Sequence, residues 1–188
     1  MRDDLTGLVL AGGASRRMGE DKALLDVDGR VLVVYVAERL ASVCETVLIA
    51  PGTRQLHELS WRQIDDVATQ AGPLGGILAA LAVADTPLVA VAAVDMPDLS
   101  PQLYRHLADT WNGEAGVLPV VDGQPQPLHA IYATAALREV AALFDAGERS
   151  PARALTRLGA LEIELPAGAW IFSLNTPDDL RRFRSRPS

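Results

Sequence analysis

The segment Ala11-Gly12-Gly13-Ala14-Ser15-Arg16-Arg17-Met18-Gly19-Glu20-Asp21-Lys22 holds the residue types that most directly imply chemistry. Glycines without Cβ let backbone N–H groups approach phosphate oxygens closely and adopt positive φ. Arg16, Arg17 and Lys22 add cations to the same neighbourhood, and oriented dipoles combined with mobile charge are what a polyphosphate requires. Lys22 is the chain's one lysine among 17 Lys and Arg residues. The loop is not a Walker A motif, because Asp21 precedes Lys22 and Ala23 follows it, and it is not G-x-G-x-x-G either. P-loop hydrolysis and hydride transfer therefore lose support. Paired glycines alone would also serve a plain tight turn between a strand and a helix.

Carboxylates form the second group. Asp95 directly follows the apolar run Leu88–Val94 and begins Asp95-Met96-Pro97. It is thus expected at the carboxyl edge of a sheet, where open α/β sheets bind ligands. A hard cation such as Mg²⁺ takes one or two carboxylates plus phosphate oxygens, a role that suits Asp95. Asp65-Asp66 precedes Gly72-Pro73-Leu74-Gly75-Gly76-Ile77, a turn feeding a helix whose N-terminus favours an anion. In Asn175-Thr176-Pro177-Asp178-Asp179, Thr176 and Asp179 make a capping box, and Asn175 is the residue that capping does not need. No two of the three histidines have zinc-ligand spacing, and no Ser-His-Asp or Cys-His arrangement offers a nucleophile. Cys44 stands alone, which excludes an intrachain disulfide and a cysteine-based zinc site.

These groups need a frame. Leu5–Leu10, Thr46–Ala50 and Leu88–Val94 read as strands, the last apolar enough to be buried on both faces. Val31–Leu40 carries β-branched residues, yet the spacing Leu32, Val36, Leu40 and the need for a parallel crossover predict a helix. Gly76–Ala84 reads as a helix. Ser100-Pro101, Ser150-Pro151 and Thr176-Pro177 each set a capping hydroxyl before a proline at the first helical position. Further strands are expected near Gly116–Val121, Leu128–Tyr132 and Leu161–Leu165, with a helix over Thr134–Phe144. This alternation predicts a single-domain α/β fold, with a mostly parallel twisted sheet and helices on both faces. The whole chain, 1–188, is expected to form one domain.

Composition excludes other classes. Of 188 residues 49% are hydrophobic and 22% charged, the balance of a folded globular chain, and the formal charge of −7 lacks the basic footprint of a nucleic-acid binder. No apolar run approaches the roughly 20 residues that a bilayer span requires. Met1-Arg2-Asp3-Asp4 leads straight into a strand, which leaves no room for a signal peptide, so a cytoplasmic location is expected.

The segment Leu10–Lys22 closely resembles the signature of the molybdenum cofactor guanylyltransferases, within the nucleotidyltransferase superfamily of Rossmann-like enzymes. The resemblance extends from Gly7 to Phe183, with its specific motifs concentrated in the first hundred residues. It implies that backbone at Leu10, Ala11, Gly12 and Gly13 holds the nucleotide, with Lys22 and Arg16 or Arg17 facing its phosphates. It also implies that Asp95 binds Mg²⁺ and nucleotide, and that an aspartate upstream of Gly72-Pro73-Leu74 contacts nucleotide. Spacing favours Asp66 for that contact, with Asp65 one residue away. For Asn175 it implies a catalytic or metal-side role, and for the segment Gln126–Tyr132, with His129, a place on the acceptor side. Gly147-Glu148-Arg149 matches a turn of the family. Ala50 departs from it, standing where many relatives carry an asparagine that touches guanine, so base recognition must fall on backbone or a neighbour.

The implied activity is transfer of GMP from GTP to the phosphate of molybdopterin, with or without molybdenum, releasing pyrophosphate, with Mg²⁺ as cofactor. Transient contact with cofactor-biosynthesis proteins or molybdoenzymes is a further implication. Both substrates are anionic and the chain is net negative, so attraction must come locally from Arg16, Arg17, Lys22 and the metal. The alternatives are a cytidylyltransferase for the same cofactor, whose loop usually opens Ala-Ala-Gly, and a non-catalytic nucleotide-binding partner in cofactor insertion.

Overall fold

The apolar runs become strands and the amphipathic segments between them become crossovers. The computed structural model describes residues 1–12, 22–27, 29–54, 56, 59–68, 71–97, 99–166, 174 and 177–184. In chain order, β1 (Arg2–Leu10) is followed by a short hairpin of β2 (Asp26–Val27) and β3 (Arg30–Val31) and by α1 (Leu32–Ala41). Then come β4 (Cys44–Ala50), β5 (Arg62–Gln63), α2 (Pro73–Val83), β6 (Leu88–Ala93) and α3 (Pro101–Thr110). The remaining elements are β7 (Gly116–Val121), β8 (Gln124–Pro125), β9 (Ile131–Ala133), α4 (Leu137–Asp145), α5 (Pro151–Arg157), β10 (Leu161–Leu165) and α6 (Pro177–Arg184).

The main sheet runs β10-β7-β9-β6-β1-β4-β5, with β8 paired to β7. Parallel pairing joins β1 to β4 and β6, β4 to β5, and β10 to β7, whereas β9 lies antiparallel between β6 and β7. The expected mostly parallel α/β sheet is therefore present, with an antiparallel insertion. Every residue of β6 is buried, because helices cover both faces. Strand alternation divides it between two cores: Leu88, Ala90 and Ala92 pack with α1, α3 and Phe183, while Val89 and Val91 pack with α2, α4 and α5. The Leu32, Val36, Leu40 stripe is the fully buried face of α1, as its spacing predicts.

Three local expectations are corrected. The strand expected over Leu128–Tyr132 is split: Pro127–His129 forms a 3₁₀ turn, and only Ile131–Ala133 pairs. Proline fixes the turn-compatible φ at the start and cannot donate to a ladder, so the apolar pattern there is shared between two structures. Thr134–Ala136 is likewise a 3₁₀ turn preceding α4. Ser150 caps α5 by accepting from the Arg153 N–H at 3.3 Å, but Ser100 does not cap α3, its hydroxyl instead donating to Gln102 Oε1 at 3.0 Å. The capping box at Thr176 lies outside the described residues.

Candidate functional site

Adjacent parallel strands finish level with one another. The Leu10 carbonyl accepts from the Val94 N–H at 3.0 Å on one side, and the Ala11 N–H donates to the Ala50 carbonyl at 2.9 Å on the other. The carboxyl ends of β6, β1 and β4 thus open at one edge, the usual place for a ligand in such a sheet.

Gly12 is exposed at this edge. Its φ lies outside the left-handed region, so the expected positive φ is not the reason for a glycine here. Close approach is the reason: a Cβ on Gly12 would stand 3.3 Å from the Cα of Gly52, in the loop leaving β4. Gly13, Arg16, Arg17 and Asn175 lie outside the described residues.

Beyond the loop the chain re-enters at Lys22, in a single 3₁₀ turn with Ala23 buried beneath it. The Leu25 N–H donates to the Lys22 carbonyl at 3.2 Å, and the Leu32 N–H to the Leu25 carbonyl at 2.8 Å, which ties Lys22 to the start of α1. Lys22 Nζ then reaches Asp95 Oδ2 at 3.5 Å across 73 residues of sequence. Both side chains are mostly covered, 16% and 29% exposed, so the pair is semi-buried rather than solvated.

Asp95 sits in a turn closed by the Met96 N–H to Ala93 carbonyl bond at 3.2 Å. Its own carbonyl accepts from the Leu174 N–H at 2.7 Å, bringing the residue before Asn175 against the carboxylate loop. Further along, the Leu99 carbonyl accepts from Arg39 Nε of α1 at 2.8 Å. From beneath, His129 Nε2 abuts the Met96 sulfur. The Tyr104 hydroxyl donates to the Val91 carbonyl at 2.7 Å, leaving its oxygen to accept from His129 Nδ1 at 3.3 Å. Burial pushes the His129 imidazole down to about 4, so it is neutral at physiological pH and supports the loop without adding charge. His129 is thus a buried support of the Asp95 turn.

Asp66 is half-buried while Asp65 is exposed. Around Gly76 of α2 the packing is tight: a Cβ there would lie 2.8 Å from Leu10 Cδ2, 3.1 Å from Asp66 Oδ1 and 3.2 Å from Ala50 Cβ. Asp66 therefore lies by the ends of β1 and β4, near Leu10 and Ala50. Burial, with the neighbouring Asp65 charge, raises its pKa above the ordinary carboxylate value.

One residue at this edge carries no motif. Arg54, past the end of β4, donates to the Ala11 carbonyl. Only its place one turn beyond a strand adjacent to β1 could have marked it among so many arginines. Arg149 is turned elsewhere, its guanidinium 3.9 Å above the Phe144 ring.

Among the described residues no group of three or more His, Cys, Asp or Glu side chains is placed to hold a metal ion. The arrangement offers a backbone edge, the Lys22–Asp95 pair and the half-buried Asp66. That set can bind and polarise an anionic substrate but supplies no protein nucleophile.

Comparison with known proteins agrees. The MobA-like NTP transferase domain matches residues 7–162. A protein of Mycobacterium avium named probable molybdenum cofactor guanylyltransferase is 40% identical over 187 residues, 94% of this chain and 93% of its own. One of Natronomonas pharaonis with the same name is 34% identical over 97% of this chain and 98% of its own. The crystal structure of molybdopterin-guanine dinucleotide biosynthesis protein A from Archaeoglobus fulgidus superposes with a TM-score of 0.78 at 28% identity, covering 95% of this chain and 96% of that one.

Proposed function

Since the chain belongs to the MobA-like NTP transferase family, we propose that it transfers GMP from GTP to the phosphate of molybdopterin, with or without molybdenum, forming the guanine dinucleotide cofactor. The acceptor phosphate oxygen bonds to the α-phosphorus of GTP, the bond from that phosphorus to the bridging oxygen breaks, and pyrophosphate leaves with the electron pair. The observation that carries this reading is the semi-buried Lys22–Asp95 pair at the open ends of β1 and β6.

With no protein nucleophile, catalysis consists of positioning and charge stabilisation. Backbone at Leu10, Ala11, Gly12 and Gly13 would hold the nucleotide, and Lys22, with Arg16 or Arg17, would neutralise charge developing on the phosphates. Asn175 follows the residue bonded to the Asp95 loop and would act beside that carboxylate. A Mg²⁺ ion fits Asp95: its carboxylate is a partly exposed hard oxygen donor, and such an ion takes one or two carboxylates, its shell completed by substrate phosphates and water. When bound there, the ion supplies charge neutralisation at the phosphate oxygens. No helix among the described residues is long and apolar enough to cross a membrane. A cytoplasmic location, suited to the lone Cys44, and transient contact with proteins that supply or take up the cofactor belong to the same proposal.

Ala50 offers no side-chain hydrogen bond, and Asp66 is the neighbour that can replace one. Guanine presents adjacent N1–H and N2–H donors, which a carboxylate accepts together, whereas cytosine sets its amino group beside the acceptor N3. Asp66 therefore favours guanine. Asp66→Asn is expected to weaken GTP binding by about 10–100-fold, the loss of hydrogen bonds to a charged group. Its effect on stability has the opposite sign. A carboxyl whose folded pKa is raised binds protons more tightly in the native state, so stability falls as pH rises from its unfolded value through the folded one. The asparagine variant escapes that fall, so at neutral pH it should be equally or slightly more stable, by less than about 1 kcal/mol after solvent screening. Calorimetric titration and thermal unfolding of one sample read both signs.

The deciding experiment measures binding of GTP, CTP, ATP and UTP, each with Mg²⁺, and pyrophosphate release with molybdopterin. Preference for GTP with pyrophosphate release is expected. A preference for CTP would establish the cytidylyl alternative, and binding without release would make the protein a nucleotide carrier.

A further inference from the structure

The geometry points to Arg54 as a positioning residue that aims the Gly12 amide into the nucleotide cleft. This inference rests on the nucleotidyl-transfer reading and adds a group that the loop motif does not contain. The Ala11 N–H faces β4 and donates to the Ala50 carbonyl at 2.9 Å. Its carbonyl faces the same way, as extended backbone requires, but β4 has ended and, among the described residues, no backbone amide meets it. Arg54 supplies the missing donor through its guanidinium. The side chain thereby extends the β1–β4 ladder past the last backbone pair, Leu10 with Ala50.

The consequence follows from peptide planarity. No cis peptide bond occurs among the described residues, and in a trans peptide the carbonyl of one residue and the N–H of the next point in opposite directions. With the Ala11 carbonyl fixed toward Arg54, the Gly12 N–H is directed to the β6 side. The Leu10 carbonyl points to that side too, where it meets the Val94 N–H at 3.0 Å. Lys22 and Asp95 stand there, paired at 3.5 Å. No acceptor among the described residues meets the Gly12 N–H, and Gly12 is exposed. A donor held in one direction beside the cation and carboxylate is preorganised for a phosphate oxygen, as in other anion sites built from backbone amides. Gly52 of the loop after β4 lies beside this peptide, where a Cβ on Gly12 would stand 3.3 Å from its Cα.

The test is calorimetric binding of GTP and of guanosine, both with Mg²⁺, to the wild-type chain, Arg54→Ala and Arg54→Lys. Arg54→Ala should weaken GTP by about 10–100-fold, the range for hydrogen bonds to charged groups, and leave guanosine within about twofold. Arg54→Lys, which still places one donor on a single carbonyl, should recover most of the GTP affinity. In steady state the alanine variant should raise KM for GTP in the same proportion as it weakens binding. If Arg54→Ala does not fold, Arg54→Gln, polar but too short to reach the carbonyl, is read in its place. Equal weakening of GTP and guanosine, unchanged GTP affinity, or a lysine variant no better than alanine would each overturn the assignment. A wild-type chain that binds no GTP would instead overturn the functional reading beneath it.

Discussion

Replacing Asp95 by asparagine is expected to lower Mg²⁺-dependent pyrophosphate release by about 10³-fold or more, the several kcal/mol that metal-assisted charge stabilisation contributes. Asparagine preserves volume and the turn closed by the Met96 N–H, so the loss would report the carboxylate and not the fold. The Lys22 pair that it disrupts contributes at most about 1 kcal/mol where both partners keep some solvent contact. Thermal unfolding should therefore move by only a few degrees while turnover collapses. Asp95→Glu keeps the charge but displaces it by about one methylene, and a misplacement of about 1 Å in a reacting array costs up to roughly 10² in rate. The expected order is wild type, glutamate, asparagine, read as initial rates across a Mg²⁺ series. Asparagine turning over at the wild-type rate in saturating Mg²⁺ would remove Asp95 from the reaction.

The contrast between Asp95 and Arg54 shows which parts of the site the amino-acid order discloses. The place of Asp95 was legible because Leu88–Val94 is apolar throughout, as a strand covered on both faces is, and a carboxylate directly after it falls at the carboxyl edge of the sheet. Lys22 was legible as a unique residue type. Arg54 acts on a backbone carbonyl, and backbone carries no sequence signature, so nothing distinguished it from fifteen other arginines. Between Asp65 and Asp66 spacing favoured Asp66, and the structure sets that residue half-buried beside Gly76 and leaves Asp65 exposed, a difference that only the packing of α2 against the sheet creates.

The same boundary separates legible from illegible secondary structure. The helix at Leu32–Ala41 was foreseen against its β-branched content because its buried stripe and the crossover agreed. Ser100-Pro101 and Ser150-Pro151 look alike, but only Ser150 caps its helix; Ser100 is turned aside toward Gln102, a choice made by rotamer and packing. His129 was visible as a residue and invisible as a support, because its partners Tyr104 and Met96 come from α3 and the Asp95 loop.

Lys22→Ala should reduce turnover with GTP by roughly 10²–10³, equivalent to about 2.7–4 kcal/mol, the loss typical of removing one donor to transition-state charge. A purely structural role predicts a different ratio of effects. If Lys22 only paired with Asp95, its removal would lower stability, leaving a mostly covered carboxylate unpaired, and would leave chemistry nearly intact. The two accounts thus differ in which quantity moves, and unfolding temperature measured beside kcat separates them. Lys22→Arg should recover turnover only in part, because a planar fork does not reproduce a compact ammonium at 3.5 Å from a carboxylate. The composition supplies an independent check. With one lysine in 188 residues, an amine-selective acylating reagent has only Lys22 and the amino terminus to modify. Inactivation by that reagent should follow acylation of Lys22 and be slowed by GTP, since a phosphate against the ammonium shields it. Acylation of Lys22 that leaves turnover intact would show that the charge at this position plays no part in the transfer.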